Sequence, residues 1–158
     1  MDWELTPSSI ERGLASVSTR TGILGRWQSI GFNPRSICDT AHNADGIKAV
    51  MEQISQVPKK ELHMVWGMVS DKDLNTILPL LPQEARYYFT QSSVPRSMDF
   101  QELASAASAY GLEGTCHPSV EEAYRAARKE AGPDDMIFTG GSTFVVADLL
   151  TFAQSSPS

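Results

Sequence analysis

The chain has 158 residues, of which 41% are hydrophobic and 20% charged, and its formal net charge is −6. This size and composition predict one soluble domain with its own core, because domains cluster at about 100–200 residues. The acidic balance argues against a general nucleic-acid-binding surface, and no apolar stretch reaches the roughly 18–20 residues of a membrane span. The two cysteines are too few for a disulfide framework and the first residues lack a secretory signal, so we expect a cytoplasmic protein without membrane or nucleic-acid partners.

The predicted elements begin with a short helix and then alternate between strands and helices. Residues 1–24 are expected to form that helix and a linker, 25–153 the main domain, and 154–158 a frayed tail. Strands are predicted at 28–32, 35–39, 61–69, 86–91, 114–117 and 136–139. Helices are predicted at 43–56, 71–81, 99–110, 119–131 and 142–152, and Asp71 is the expected N-cap of the helix at 71–81.

The repeated strand–helix order decides the predicted fold class. Such alternation favours a mostly parallel sheet with helices on both faces. The near-continuous apolar run Leu62–Met68 fits a strand that is buried on both sides. We therefore predict an α/β fold, a Rossmann-like three-layer sandwich.

Unusual polar residues follow the predicted strands, at the edge where open α/β sheets bind ligands. They are Asp39, His42, Asn43, Lys72, Asp73, Arg96 and Ser142. Each loop also has an ordinary explanation as a helix cap or turn, and Asn43 is an expected cap. Capping does not require His42, Lys72 or Arg96, so the set favours a binding site over ordinary connections.

Several short motifs are missing from the sequence. It has no G-x-x-x-x-G-K-[ST] phosphate loop and no G-x-G-x-x-G, although Gly140-Gly141-Ser142 before a helix has backbone amides for an anion. A hydrolase built on Ser142, His42 and Asp39 is disfavoured, because the G-x-S-x-G elbow is absent. The histidines and cysteines lack zinc-site spacing, so no metal site is predicted.

Five segments, in order, resemble the C-terminal domain of folylpolyglutamate synthase, an enzyme that is often bifunctional with dihydrofolate synthase and belongs to the Mur ligase superfamily. They are Gly25-Arg26-Trp27-Gln28, Asp39-Thr40-Ala41-His42-Asn43, the segment from Gly67 to Asp73, Pro95-Arg96-Ser97, and Gly141-Ser142. The resemblance runs from about Ile10 to Leu150. This sequence departs from the usual pattern at Thr40 (glycine), Ala44 (proline) and Ser97 (alanine).

The resemblance implies an ATP-dependent ligase. The family phosphorylates the terminal carboxylate of a folate or dihydropteroate substrate and transfers the acyl group to the amino group of L-glutamate, and Mg²⁺ accompanies the nucleotide. A central P-loop domain supplies the phosphate loop and most Mg²⁺ ligands in that family. The chain is therefore expected to be an excised C-terminal domain that is inactive alone. The alternative is a stand-alone nucleotide-binding or regulatory module without catalysis.

The resemblance also implies roles for individual residues. The expected ATP contacts are Arg26 and Asp39, with His42 and Asn43 lining the same crevice. A fixed guanidinium charge suits phosphate, and Asp39 offers an acceptor to the ribose. Lys72 and Asp73 are the expected catalytic pair on the glutamate side, and Arg96 and Ser142 the expected substrate-binding residues.

Overall fold

The computed structural model describes residues 25–155, so the predicted N-terminal helix lies outside the described residues. Six strands form one sheet. They are β1 (Gln28–Phe32), β2 (Arg35–Cys38), β3 (Leu62–Trp66), β4 (Arg86–Phe89), β5 (Gly114–Cys116) and β6 (Met136–Gly140). The strand order is β1-β2-β6-β3-β4-β5. Only β1 runs antiparallel to its neighbour, which confirms the prediction of a mostly parallel sheet.

Five α-helices complete the described part of the fold. They are α1 (Ala44–Ser55), α2 (Leu74–Ile77, continued by a 3₁₀ turn at Leu78–Leu80), α3 (Phe100–Ser108), α4 (Val120–Glu130) and α5 (Thr143–Ser155). None of these helices is long and apolar enough to cross a membrane.

Two separate apolar cores lie on the two faces of the sheet. On one face, Ile47 of α1 and Leu103 of α3 pack in a cluster with Met64 of β3. On the other face, α4 and α5 pack against the alternate strand residues, such as Val65 of β3. Because successive strand residues point to opposite faces, one strand serves both cores. The predicted three-layer sandwich is confirmed.

The predicted N-cap of α1, Asn43, is confirmed, but the predicted cap of α2 is wrong. The side chain of Asp73, and not that of Asp71, accepts a hydrogen bond from the Asn75 amide at 3.0 Å. The helix is also shorter than expected, because Pro79 has no amide hydrogen to continue the pattern and the chain tightens into a 3₁₀ turn. At the other end of the chain, α5 continues to Ser155, two residues into the segment expected to be a frayed tail.

A buried polar chain lies near the amino ends of the parallel strands. The His63 side chain is fully buried, and its Nε2 lies 2.9 Å from Asp135 Oδ2 while its Nδ1 lies 2.9 Å from the Tyr88 hydroxyl. That hydroxyl donates to Glu130 at 2.7 Å. Burial alone would raise the pKa of Asp135, but hydrogen bonds from the Gly132 amide and from His63 outweigh it and hold that pKa below its usual value.

Candidate functional site

Four loops leave the carboxyl ends of β2, β3, β4 and β6, where the sequence placed the candidate residues. Because β6 lies between β2 and β3 in the sheet, its loop lies between their loops. The Gly67 amide donates to the Gly140 carbonyl at 3.3 Å, and Gly141 has a φ of +100°. A Cβ atom at Gly141 would overlap the Gly67 carbonyl oxygen, so the β3 and β6 loops touch backbone to backbone.

Arg26 lies on a short segment that is attached to the β2 loop on both sides. The Gly25 carbonyl accepts from the Thr40 amide at 2.8 Å, and the Trp27 amide donates to Asp39 Oδ2 at 2.8 Å. The Arg26 side chain is exposed and makes no hydrogen bond or ion pair with any residue between 25 and 155. A free guanidinium on an anchored backbone suits an anionic ligand such as a phosphate.

Asp39 is buried, with 6% of its surface exposed. Its second carboxylate oxygen, Oδ1, accepts from the Ala41 amide at 2.8 Å. Both oxygens are therefore engaged by backbone amides, one within its own loop and one on the Arg26 segment. The sequence analysis predicted that Asp39 and Arg26 contact the same ligand. In the structure, Asp39 hydrogen-bonds to the amide of Trp27, the residue that follows Arg26.

His42 and Asn43 lie at the start of α1, and both are exposed. His42 Nδ1 lies 3.2 Å from the Thr40 carbonyl. Because a carbonyl can only accept, Nδ1 donates there, and Nε2 is directed away from this bond. Asn43 caps α1 by accepting from the Gly46 amide at 2.8 Å. Its side-chain oxygen is thus used by the helix, while the His42 ring is available to a ligand.

Arg96 joins the loop after β4 to the loop after β3. The Ser70 amide donates to the Arg96 carbonyl at 2.8 Å, and the Arg96 guanidinium donates to Asp71 Oδ2 at 3.2 Å. The same guanidinium lies over the Phe144 ring, 5.9 Å from its centroid. Arg96 and Asp71 are both largely exposed, so this ion pair adds little stability but gives the guanidinium a preferred direction.

Lys72 and Asp73 follow Asp71 in the β3 loop, and the structure gives them different surroundings. The Lys72 side chain is half-buried, and its ammonium has no hydrogen bond or ion pair within residues 25–155. Asp73 is the cap of α2 and is exposed. Within the described residues the Lys72 ammonium is thus unpaired, while one oxygen of Asp73 is used by the helix.

Ser142 directly precedes α5 and is almost completely buried, with 2% of its surface exposed. Its hydroxyl oxygen accepts from the Phe144 amide at 3.0 Å and from the Val145 amide at 3.2 Å, which is the geometry of an N-cap. Within the described range, no hydrogen bond joins Ser142 to His42 or to Asp39. A hydrolytic triad is therefore not assembled from these three residues.

Sequence reasoning missed three residues that shape the site. Trp27 connects Arg26 to Asp39, Phe144 lies under Arg96, and Asp148 accepts from both the Ser93 amide at 2.7 Å and the Ser93 hydroxyl at 3.0 Å. Asp148 is 55 residues from Ser93 in sequence, so no local pattern pointed to it. Trp27 has a φ of +44°, and nothing in the sequence predicts this conformation, because residues other than glycine rarely adopt it.

The three carboxylates of the β2 and β3 loops are poorly placed for a metal ion. Asp39 and Asp73 accept from backbone amides and Asp71 pairs with Arg96. Within residues 25–155, the group whose ligand atoms come together is Glu61, His63 and Asp135. That group lies at the opposite edge of the sheet, and His63 and Asp135 already bond to each other.

The chain is similar to known proteins over most of its length. The family model described as "Mur ligase, glutamate ligase domain" matches residues 25–143. A Haloferax volcanii protein named "Probable bifunctional folylpolyglutamate synthase/dihydropteroate synthase" is 29% identical over 154 residues, which cover 94% of this chain and 17% of that protein.

Solved structures show the same similarity. Escherichia coli FolC in complex with DHPP and ADP matches with a TM-score of 0.76 and 28% identity, over 85% of this chain and 32% of that one. A bifunctional folylpolyglutamate synthase/dihydrofolate synthase with Mn, AMPPNP and L-glutamate bound matches with a TM-score of 0.75 and 27% identity, over 83% of this chain and 32% of that one. The chain thus spans a third or less of the length of these proteins.

Proposed function

Because the chain belongs to the family of Mur ligase glutamate ligase domains, we propose that it is the C-terminal domain of an ATP-dependent ligase that adds L-glutamate to a folate. The parent activity is folylpolyglutamate synthase, with dihydrofolate synthase as a second activity of bifunctional members. The observation that carries the proposal is the meeting of the loops after β2, β3, β4 and β6 at one edge of the sheet, where the Arg26 and Lys72 side chains have no partner among residues 25–155. The relatives with nucleotide and L-glutamate bound support the same ligands for this edge.

The proposed reaction has two steps. A carboxylate of the folate or dihydropteroate substrate attacks the terminal phosphorus of ATP, and ADP leaves. The amino group of L-glutamate then attacks the acyl phosphate, loses a proton, and expels inorganic phosphate as the amide bond forms. The chain lacks a phosphate loop, so the proposal includes a preceding P-loop domain as the partner that holds the ATP phosphates, in a cytoplasmic enzyme.

On the nucleotide side, we assign direct contact to Arg26 and Asp39, with His42 lining the same crevice. The Arg26 guanidinium is exposed and unpaired within the described range, and the backbone on both sides of it is anchored. A guanidinium in this position stabilises negative charge on the phosphates without moving a proton. Asn43 belongs to the same crevice and holds the start of α1, so that the His42 ring stays at the edge of the site.

On the glutamate side, we assign the substrate carboxylates to Lys72 and Arg96. These two cations lie on loops that hydrogen-bond to each other, so they can hold one small dianion between them. Asp73 and Ser142 act by capping α2 and α5, which fixes the loops that carry or adjoin these cations. Arg96 binds a carboxylate only by sharing its guanidinium with Asp71 or by releasing it.

Mg²⁺, when bound, neutralises charge on the nucleotide phosphates. The carboxylates of this chain do not fit the role of its cage, since Asp39, Asp71 and Asp73 are each already engaged. We therefore place the ion mainly on the preceding P-loop domain.

The test joins the chain to a P-loop domain from a folylpolyglutamate synthase and measures ADP release with and without L-glutamate. We expect release that depends on both L-glutamate and a folate substrate. Arg26→Ala should lower it about 10- to 100-fold, the usual worth of a hydrogen bond to a charged group. Arg35→Ala is the matched control, because Arg35 is exposed at the opposite edge of the sheet. Two results would contradict the proposal and favour a non-catalytic nucleotide-binding module. One is a rate of ADP release that does not depend on L-glutamate, and the other is an equal fall in that rate in Arg26→Ala and Arg35→Ala.

A further inference from the structure

We propose that Asp148 is a positioning residue, which acts through the loop after β4 to direct Arg96 at a carboxylate of the amino-acid substrate. This role rests on the proposed function, although its first test needs only the geometry of the loop. Asp148 lies within α5 and belongs to none of the five segments that carry the family resemblance, so that resemblance implies no role for it.

Asp148 holds the loop after β4 with both oxygens of its carboxylate. Oδ2 accepts from the Ser93 amide at 2.7 Å, and Oδ1 accepts from the Ser93 hydroxyl at 3.0 Å. Hydrogen bonds to an ionised acceptor are among the stronger ones in proteins, and two of them on one residue fix its orientation as well as its distance. Asp148 is half-buried and Ser93 is exposed, so the carboxylate ties a surface loop to a packed helix.

The helix that carries Asp148 is a firm support for this loop. Leu149, the next residue of α5, is completely buried in the core on that face of the sheet. Phe144 precedes Asp148 by four residues, so their two side chains lie on the same side of the helix. The Phe144 ring centroid lies 5.9 Å from the Arg96 guanidinium. The helix therefore contacts the loop at two points, Ser93 and Arg96.

The chain between these two contact points is short and stiff. Only two residues separate Ser93 from Arg96, and one of them is Pro95, whose ring fixes a backbone torsion. Arg96 is itself attached to the β3 loop, because its carbonyl accepts from the Ser70 amide at 2.8 Å. The backbone of Arg96 is thus held from two sides, and replacement of Asp148 removes the anchor that precedes it.

A well-placed Arg96 matters for the affinity of the substrate. A substrate carboxylate has to compete with Asp71 for the guanidinium, so little binding energy is left over for ordering the loop. When a loop becomes ordered only on binding, the affinity falls by the free energy of that ordering. Release of the loop from α5 should therefore raise the KM for L-glutamate, while kcat for the bound substrate stays close to its normal value.

The first test needs no ligand and uses the full chain. Amide hydrogen exchange is followed by NMR at Ser93 and at Ser70, whose amide reports on the Arg96 carbonyl, in the wild type, Asp148→Ala and Thr151→Ala. Thr151 is exposed on the same helix and its hydroxyl bonds to the helix backbone, so it is the matched control. In Asp148→Ala, exchange should accelerate about tenfold or more at Ser93 and about threefold or more at Ser70. Unchanged exchange at Ser70, or the same acceleration in Thr151→Ala, overturns the proposal.

The second test uses the chain joined to a P-loop domain and separates the KM for L-glutamate from kcat. Asp148→Ala should raise this KM about threefold to tenfold and change kcat less than about twofold, whereas Thr151→Ala should leave both unchanged. Asp148→Asn should restore most of the affinity, because asparagine can accept from the Ser93 amide and donate to the Ser93 hydroxyl oxygen. In an Arg96→Ala background, Asp148→Ala should change the KM less than about twofold further, since coupled residues are not additive.

Three kinetic results would overturn the proposal. An unchanged KM in Asp148→Ala would show that the anchor has no effect on the substrate. The same rise in KM in the Arg96→Ala background would show that Asp148 does not act through Arg96. An Asp148→Asn variant as impaired as Asp148→Ala would show that the charge itself contacts the substrate. Absence of L-glutamate-dependent activity in the wild type would refute the proposed function, and the exchange test would then decide whether Asp148 positions Arg96.

Discussion

Gly141 joins the β6 loop to the β3 loop, and Gly141→Ala adds a single methyl group there. The residue has a φ of +100°, a conformation that alanine rarely adopts. The new Cβ would overlap the Gly67 carbonyl oxygen and lie 2.9 Å from Trp66 Cε2. Neither atom is the end of a flexible side chain, since Gly67 is backbone and the Trp66 indole is buried in the core. The loops must therefore move apart to accommodate the methyl group.

The cost of Gly141→Ala follows from two contributions. A strained backbone conformation costs about 1–3 kcal/mol, and overpacking a tight interior costs about 1–3 kcal/mol more. We therefore expect the free energy of unfolding to fall by about 2–6 kcal/mol. The assay is equilibrium unfolding of the chain in urea, followed by tryptophan fluorescence.

Gly132→Ala is the matched control for this substitution. A Cβ at Gly132 would have Asp135 Oδ2 as its nearest neighbour, at 3.8 Å, which is an ordinary contact. The control should change stability by less than about 1 kcal/mol. If Gly141→Ala and Gly132→Ala unfold at the same urea concentration, the β3 and β6 loops do not approach each other as closely as described.

Two further predictions concern carboxylates outside the nucleotide contacts. Asp135→Asn should destabilise the fold at neutral pH, because the buried carboxylate accepts from His63 and from backbone amides, and urea unfolding at several pH values measures this. The folded pKa of Asp135 lies below its ordinary value of 3.8, so its contribution is present above that pH and is lost as the pH falls through the folded pKa. The gap between wild type and variant should therefore close in acid, and a gap that widens there would contradict the network. Asp73→Ala should cost about 1 kcal/mol through loss of the α2 cap, while Asp71→Ala, which breaks an exposed ion pair, should cost less than about 0.5 kcal/mol. If thermal unfolding showed that Asp71→Ala costs more stability than Asp73→Ala, Asp71 would be the cap of α2.

Local signals in the sequence predicted most of the elements because those elements are decided locally. Ser119 lies three residues before Glu122, and the serine hydroxyl accepts from the Glu122 amide at 3.2 Å, as the spacing predicts. The cap of α2 was predicted wrongly because aspartate is a good cap at either position. In the structure the helix begins at Leu74, directly after Asp73, and Asp71 pairs with Arg96 instead. Arg96 is 25 residues away from Asp71, beyond the reach of any capping rule.

The candidate residues were found because ligand sites in parallel sheets follow the strands, and strands are visible as apolar runs. Their individual roles were not visible. The substrate role of Ser142 stays a prediction, whereas the structure shows that its hydroxyl oxygen accepts from two backbone amides of α5. A serine before a helix has the same appearance in sequence whether it caps or binds.

By itself, the sequence determined the α/β class, the two-faced sheet and the edge at which polar loops gather, since these depend on periodicity and on neighbours along the chain. Only the tertiary structure decided what each polar side chain touches. The hydrogen bond from the Trp27 amide to Asp39 spans 12 residues, and that from the Ser93 amide to Asp148 spans 55. Such partners depend on which strands pair and in what register, and on which loops the sheet brings together, and none of these can be read from neighbours along the chain.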